Sequence, residues 1–118
     1  MKLIAPAQRY RDSFLAALRE TQAEGHDLHW DYDTIANDFA AFLAQLEQEK
    51  SPQPNQARVP ESSFWLIDDQ TYIGRLSIRH HLTPHLRNFI GHIGYDIRPS
   101  QRQKGYGKAI LALGLREA

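Results

Sequence analysis

Apolar residues recur at helical spacing in two stretches of the N-terminal half. A short apolar run over residues 2–5 predicts an edge strand, and the stripe after it predicts a helix from about residue 7 to residue 23. Gly25 is placed to cap the end of that helix. A second helix is predicted to begin at a cap formed by Asp31 or Asp33 and to run to about Lys50. The two stripes consist of Tyr10, Phe14, Leu15 and Leu18 in the first helix and of Ile35, Phe39, Phe42, Leu43 and Leu46 in the second.

The C-terminal half instead alternates between apolar and polar residues, as strands do. Three prolines among polar residues predict a loop over residues 51–62. An apolar stretch without proline predicts a final helix over residues 106–118. Between them, alternation predicts strands over residues 64–67, 72–80 and 89–97, separated by a turn at residues 68–70 and a connection at residues 81–88.

This order of elements indicates an α+β (α/β) fold around a mixed, mostly antiparallel sheet. With 118 residues, the chain is expected to form a single domain over residues 1–118. Fourteen basic residues balance fourteen acidic ones, which predicts neither a nucleic-acid partner nor an anionic membrane surface. Cysteine is absent, and no stretch approaches the roughly 20 apolar residues of a membrane helix. A cytoplasmic protein without disulfides is therefore expected.

A basic, glycine-spaced loop is predicted between the last strand and the last helix. Gly105 and Gly107 allow the backbone to approach a ligand or to adopt positive φ. Successive N–H groups in such a loop, together with the start of the helix, attract an anion, and Arg102, Lys104 and Lys108 add positive charge. The loop is therefore predicted to bind a phosphate or a pyrophosphate. It lacks the lysine and hydroxyl ending of a Walker loop and the third glycine of a dinucleotide fingerprint.

The pattern Arg102-x-x-Gly105-x-Gly107 resembles the acetyl-coenzyme-A signature of GCN5-related N-acetyltransferases (GNAT). It follows a strand that ends Tyr-Asp-Ile-Arg-Pro at residues 95–99 and precedes a helix, as the family's motif does. The upstream elements come in a similar order, so the resemblance covers nearly the whole chain. The alternative is an ordinary junction of strand, loop and helix with basic surface residues.

The resemblance implies that the chain uses acetyl-coenzyme A as a co-substrate, without a metal ion. It also implies that the backbone of Tyr95, Asp96 and Ile97 pairs with the pantetheine arm. The pyrophosphate would be held by the loop and the start of the helix, at Arg102, Gln103, Lys104, Gly105, Tyr106, Gly107 and Lys108. The acceptor would be a primary amine of a small molecule or a peptide, which attacks the thioester directly.

A base must deprotonate the amine before it attacks, and histidine titrates in a suitable range. His92, on the last predicted strand, is the first candidate, and His80 and His81 are the second. Members of the family often place a glutamate near this point, where this chain has about Ile93. Each histidine can instead be a structural or surface residue. The spacing of the six histidines does not predict a metal site.

The connection between the two predicted helices lies where the N-terminal helices of this family overhang the acceptor. Asp27, Asp31 or Glu24 is therefore a candidate to bind a cationic amine, with Trp30 as a cation–π wall. The alternative is a capped helix junction with a buried tryptophan.

The chain ends inside or just after the last predicted helix, whereas a GNAT domain continues with further strands and a helix. The resemblance thus predicts a C-terminally truncated relative, whose open strand edge and uncovered apolar surface favour a homodimer. Three functions remain open at this point. They are an N-acetyltransferase, a coenzyme-A-binding relative with little or no catalytic activity, and a non-enzymatic interaction module.

Overall fold

Residues 1–49, 61–80 and 90–117 are described by the computed structural model. In these ranges, short 3-10 turns at Gln8–Tyr10 and Pro99–Gln101 accompany four strands and four helices. The strands are β1 (Lys2–Ile4), β2 (Glu61–Asp68), β3 (Thr71–His80) and β4 (Ile90–Ile97). The helices are α1 (Arg11–Ala23), α2 (Tyr32–Asn37), α3 (Phe39–Gln48) and α4 (Tyr106–Glu117). None of the helices in these ranges is long and apolar enough to cross a membrane.

The four strands form one antiparallel sheet in the order β1–β2–β3–β4. A two-residue turn, Asp69–Gln70, joins β2 to β3, and both of its residues have positive φ (49° and 67°). Two left-handed residues give a hairpin turn the twist that its flanking strands require. The predicted α+β class and antiparallel sheet are confirmed, and so is the turn at residues 68–70.

One face of the sheet is covered by α1, α2 and α3 through a cluster of rings, the aromatic core. Phe14 of α1 lies at its centre and stacks on Trp65 of β2, with ring centroids 4.8 Å apart and planes 8° apart. Both side chains are almost completely buried, at 3% and 1% exposure. Four further rings surround Phe14, namely Trp30, Phe39, Phe42 and Tyr72.

The opposite face of the sheet is covered by α4. Ile110 is fully buried there against Leu66, Ile73, Leu76 and Ile78. Gly114 lets the helix come close to β3, because a Cβ at this position would lie 2.5 Å from the Leu76 side chain. On the outer side of α4, Leu111 and Leu115 are exposed. The homodimer expected from such surfaces remains a prediction.

The second predicted helix is wrong as a single element, because it breaks at Asp38. This residue has φ −143° and ψ 74°, which no helix contains, and its carboxylate accepts a hydrogen bond from the N–H of Ala41. Asp38 thereby caps α3 in the same way as Asp31 caps α2. The apolar stripe continues across the break, since Ile35 and Phe39 both face the aromatic core. The predicted cap at Asp31 is confirmed.

The start of β2 also differs from the prediction. Glu61 and Ser62 belong to the strand and pair with Arg79 and Ile78, although the sequence placed them in a loop. Polar residues at the start of the strand concealed it, because the apolar run begins only at Phe64. The rest of that loop, residues 51–60, and the predicted connection at residues 81–88 lie outside the described residues, as do Lys50 and Phe89 at the ends of the neighbouring predicted elements.

Candidate functional site

The glycine loop, residues 98–105, connects β4 to α4. Two of its residues, Gln103 and Gly105, have left-handed backbone, with φ of 63° and 83°. The carbonyl of Gly105 accepts a hydrogen bond from the N–H of Ala109 at 3.3 Å, so the first turn of α4 follows the loop directly. The first N–H groups of a helix have no partner within the helix. The loop therefore ends in a concave set of donors that favours an anion.

Glu20 of α1 holds the beginning of the glycine loop. One carboxylate oxygen accepts a hydrogen bond from Nε of Arg98 at 2.9 Å and lies 2.8 Å from its Nη2, and the other accepts from the N–H of Ser100 at 3.0 Å. Burial alone would raise the pKa of Glu20, but the hydrogen bonds from Arg98 and Ser100 outweigh it and lower the pKa below its ordinary value. The sequence contains no local signal for this contact, because the partners are far apart along the chain.

Arg102 is held by a second carboxylate of α1. Its guanidinium makes a bidentate pair with Glu24, with N–O distances of 2.9 and 3.0 Å. Its charge is thus largely compensated within the chain. Lys104, whose Nζ donates to the Gln101 side chain at 3.2 Å, and Lys108 are both exposed. No carboxylate in the described ranges pairs with these two lysines, so they, rather than Arg102, supply positive charge beside the loop.

Tyrosines fix the start of α4 against the sheet. Tyr106 donates from its hydroxyl to the carboxylate of Asp68 on β2 at 2.8 Å, and this hydrogen bond raises the pKa of Tyr106. The ring of Tyr95 lies beside Gly107, where a Cβ would be 3.4 Å from the ring. Tyr95 is nevertheless 47% exposed. The side chains of Tyr106 and Ile97 pack against the apolar cluster under α4.

A cavity of about 170 Å³ lies between the end of α1 and the connection that follows it on one side, and the first half of β3 and the end of β4 on the other. We call it the Trp30 cavity. Its polar and charged lining consists of Thr21, His26, Asp27, Tyr72, Arg75, Asp96, Arg98 and Arg102. Because Asp96 and Ile97 of β4 and Arg102 of the glycine loop line it, the cavity borders the predicted cofactor residues. The two groups of residues predicted from the sequence thus come together.

The end of α1 carries Asp27 to this cavity. Gly25 has φ 86°, and the N–H groups of Gly25 and His26 return to the carbonyls of Gln22 and Thr21, which ends the helix in a left-handed cap. Gly25 is therefore confirmed as the cap. The side-chain amide of Gln22 then donates to the carbonyls of Asp27 and Trp30, at 3.1 and 2.8 Å. These contacts fix the connection over the sheet.

Arg75 of β3 is one of the cavity residues that the sequence did not single out. Its Nη2 lies 3.1 Å from Oδ1 of Asp27 and 3.6 Å from Oδ2 of Asp96. Its guanidinium carbon lies 4.8 Å from the centre of the Trp30 ring. The acid and the tryptophan that were predicted to bind an amine therefore already hold a cation of the chain itself. The signal available in the sequence was the strand alternation, which puts Arg75 on the same face as Ser77 and Arg79.

Tyr72 contributes a buried hydroxyl to the cavity. The residue is 6% exposed, and its ring packs edge-on against Phe14 and Trp65 in the aromatic core. Burial raises the pKa of Tyr72, so that the hydroxyl keeps its proton. Among the residues that the structure describes, this hydroxyl has no hydrogen-bond partner. The hydroxyl is therefore available to a ligand in the cavity.

The histidines remain predictions as catalytic residues. His92 lies on β4 with its Cα opposite Arg79, and His80 lies at the end of β3 opposite Ile90. Their side chains and the whole of His81 lie outside the described residues. At about 3.3 Å per residue, the backbone of His92 is roughly 13 Å along β4 from Asp96. His92 is thus on the strand that borders the cavity but not at the cavity itself.

Within the described ranges, no group of three or more His, Cys, Asp or Glu side chains could hold a metal ion. Comparison of the chain with protein-family models, with curated proteins and with solved structures gave no match. The function is therefore inferred from the loop, the strand edge and the cavity, together with the resemblance in the sequence.

Proposed function

We propose that the chain binds acetyl-coenzyme A along β4 and the glycine loop and transfers the acetyl group to a primary amine. The backbone of the loop carries this proposal, because left-handed Gln103 and Gly105 precede the first N–H groups of α4, which have no partner within the helix. Such a concave set of donors suits the linked phosphates of coenzyme A. The exposed Lys104 and Lys108 add the positive charge that a pyrophosphate favours.

The outer edge of β4 supports the second half of the proposal, the binding of the pantetheine arm. In the described sheet, β4 pairs with β3 alone. The N–H of Arg98 donates to the carbonyl of Ile73 at 2.7 Å. Since adjacent residues of a strand direct their N–H groups to opposite sides, those of Tyr95 and Ile97 are directed to the free edge. An extended chain with amides can pair with such an edge.

The arrangement of the elements agrees with the resemblance to GNAT. Antiparallel strands in sequential order, with α1, α2 and α3 on one face and α4 on the other, are what the first half of such a domain would contain. A GNAT-like fold is therefore part of the proposal.

In the proposed reaction, the neutral amine attacks the carbonyl carbon of the thioester. A C–N bond forms, the C–S bond breaks, and the coenzyme A thiolate leaves, taking up the proton that the amine has lost. The negative charge that develops on the carbonyl oxygen needs a donor, and the N–H groups at the edge of β4 are candidates. His92 stays the first candidate for the base, and His80 the second.

Calorimetric titration with acetyl-coenzyme A, with ATP as a control ligand, tests the cofactor site. We expect micromolar binding of acetyl-coenzyme A and none of ATP. Gly105→Val should abolish binding, because a β-branched residue is strained at φ 83° and its side chain would fill the open space beside the loop. Gly25→Val is the matched control, since Gly25 has φ 86° and equally open surroundings. It should lose similar stability and still bind.

Normal binding by Gly105→Val would contradict the placement of the pyrophosphate. If the wild-type chain binds acetyl-coenzyme A, turnover with a panel of amines decides the rest. Binding without turnover would favour the coenzyme-A-binding relative over the enzyme. Absence of binding by the wild-type chain would overturn the cofactor site and leave an interaction module as the better interpretation.

A further inference from the structure

The Trp30 cavity has a charge balance that distinguishes between possible ligands. Of the three arginines in its wall, Arg98 and Arg102 are each paired with a glutamate of α1. Arg75 is left to balance two carboxylates, Asp27 and Asp96. One guanidinium cannot neutralise both, so the described lining retains one negative charge when His26 is neutral. A cation is therefore favoured in the cavity and a carboxylate is disfavoured.

The two carboxylates do not share Arg75 equally. Asp27 accepts a hydrogen bond from Nη2 at 3.1 Å, and its side chain is 18% exposed. Asp96 lies 3.6 Å from the same nitrogen, without a hydrogen bond in the described residues, and its side chain is 72% exposed. Asp27 is therefore the partner of Arg75, and Asp96 keeps the uncompensated charge. The carboxylate that remains free for a ligand is the one on β4.

A second, independent observation points to a ligand in the same place. The hydroxyl of Tyr72 belongs to a side chain that is 94% buried, it lines the cavity, and it has no partner in the described part of the chain. A ligand with N–H groups would supply the missing contact. The aromatic core holds the Tyr72 ring from two sides, so the hydroxyl has a fixed position.

We propose that the Trp30 cavity selects a small alkylammonium ion that carries no carboxylate, with the ammonium group on Asp96 and on the Tyr72 hydroxyl. Asp96 and Tyr72 are then determinants of specificity. The role of this ammonium as the acyl acceptor rests on the proposed function, because the cavity borders β4 and the glycine loop. Amino acids and other acceptors with a carboxylate near the amine are excluded by the charge of Asp96.

Binding of propylammonium to the full 118-residue chain tests the proposal without acetyl-coenzyme A, with propionate and propanol as probes of similar size. The chain has two tryptophans, and only Trp30 lines the cavity, so the NMR signal of its indole N–H reports on occupancy. We expect a saturable shift of the Trp30 signal with propylammonium alone. The signal of Trp65, buried in the aromatic core, should stay in place and serves as the internal control.

Variants of the two residues complete the test. Asp96→Asn should weaken propylammonium binding about tenfold or more, because it removes a charge-assisted contact, and Tyr72→Phe should weaken it about three- to tenfold. Asp33→Asn, an exposed change on α2 outside the cavity, should leave the affinity unaltered. Preferential binding of propionate, an unchanged affinity of Asp96→Asn, or no shift with any probe would each overturn the proposal.

The outcome is independent of the cofactor site. Propylammonium binding in a chain that fails to bind acetyl-coenzyme A would retain the ammonium site and reject the acetyltransferase. Acetyl-coenzyme A binding without propylammonium binding would retain the cofactor site and reject the ammonium site.

Discussion

The aromatic core and the Trp30 cavity lie side by side on one face of the sheet, yet they are stabilised by different interactions. In the core, rings pack against one another and water is excluded. Around the cavity, α1 contacts the glycine loop through hydrogen bonds and ion pairs, such as Glu20 with Arg98. Burial of rings is non-directional, whereas hydrogen bonds fix atoms. The packed rings thus stabilise the fold, and the hydrogen bonds and ion pairs fix the position of the glycine loop.

Three aromatic residues belong to both regions. Phe14, Trp30 and Tyr72 pack in or against the aromatic core and also line the cavity. The cavity therefore has one wall as rigid as the core and one wall made of charged side chains. A site of this kind can keep the Tyr72 hydroxyl in place while Arg75 and the carboxylates adapt to a ligand.

The largest difference between the two regions is expected on removal of a central ring. Trp65→Ala should lower the free energy of unfolding by about 3–5 kcal/mol, because it leaves a cavity under Phe14 and Tyr72. Arg79→Ala is the comparison from the polar side, where the pair with Glu61 is 3.8 Å long and the arginine is 60% exposed. That change should cost about 0–1 kcal/mol. Denaturant unfolding measures both losses of unfolding free energy. Equal losses would show that the two regions do not differ in how they stabilise the fold.

A glycine sets how closely β3 approaches β4 beside Asp96, a residue of the cavity. Gly74 of β3 lies against β4, and a Cβ there would be 2.3 Å from the carbonyl oxygen of Asp96. Since that oxygen is backbone, Gly74→Ala should separate the strands and cost about 1–3 kcal/mol. Gly94→Ala on β4 is the matched control, because no atom lies within 4 Å of its Cβ position. Equal thermal stability of the two variants would show that the strands do not approach as closely as described.

The smallest expected effect is the dependence of stability on acidic pH that Glu20 causes. The pKa of Glu20 is lower in the folded chain than in the unfolded one. Its stabilising contribution is therefore complete above the unfolded value of about 4.3 and is lost as the pH falls through the folded value. Glu20→Gln should cost about 1–2 kcal/mol near neutral pH, and less as the pH falls below the unfolded value. Thermal unfolding of the variant and the wild type across this range measures the difference.

Asp12→Asn, at a side chain that is 92% exposed, is the control for the acid series and should run parallel to the wild type. If Glu20→Gln also ran parallel, the contact between α1 and the glycine loop would not contribute to stability.

The sequence predicted those parts of the fold that local patterns specify. The helices α1 and α4, the strands β3 and β4 and the turn at Asp69 follow from periodicity and turn chemistry, and the structure confirms them to within a few residues. The break at Asp38 was missed because the apolar stripe does not register a single non-helical residue. Asn37 and Asp38, both poor helix formers and good caps, were the available signal.

The candidate site was predictable only in part, for a related reason. Glycine spacing marks a loop, and an acid beside a tryptophan suggests a cation site. Neither pattern shows that Arg75 occupies the position between Asp27 and Asp96. Such contacts arise when strands and helices that are distant along the chain meet, so only the three-dimensional arrangement contains them.

The pairing of β1 with β2 has a consequence for how the chain is assembled during synthesis. Lys2 pairs with Ile67, whereas β2 and β3 are joined by a two-residue turn. During synthesis, β1 therefore waits for its partner until the more than fifty residues between the two strands have been made. At about 5–20 residues per second, this delay lasts several seconds, far longer than a hairpin needs to form. Because β1 has only three residues, it exposes little unpaired strand edge during this time.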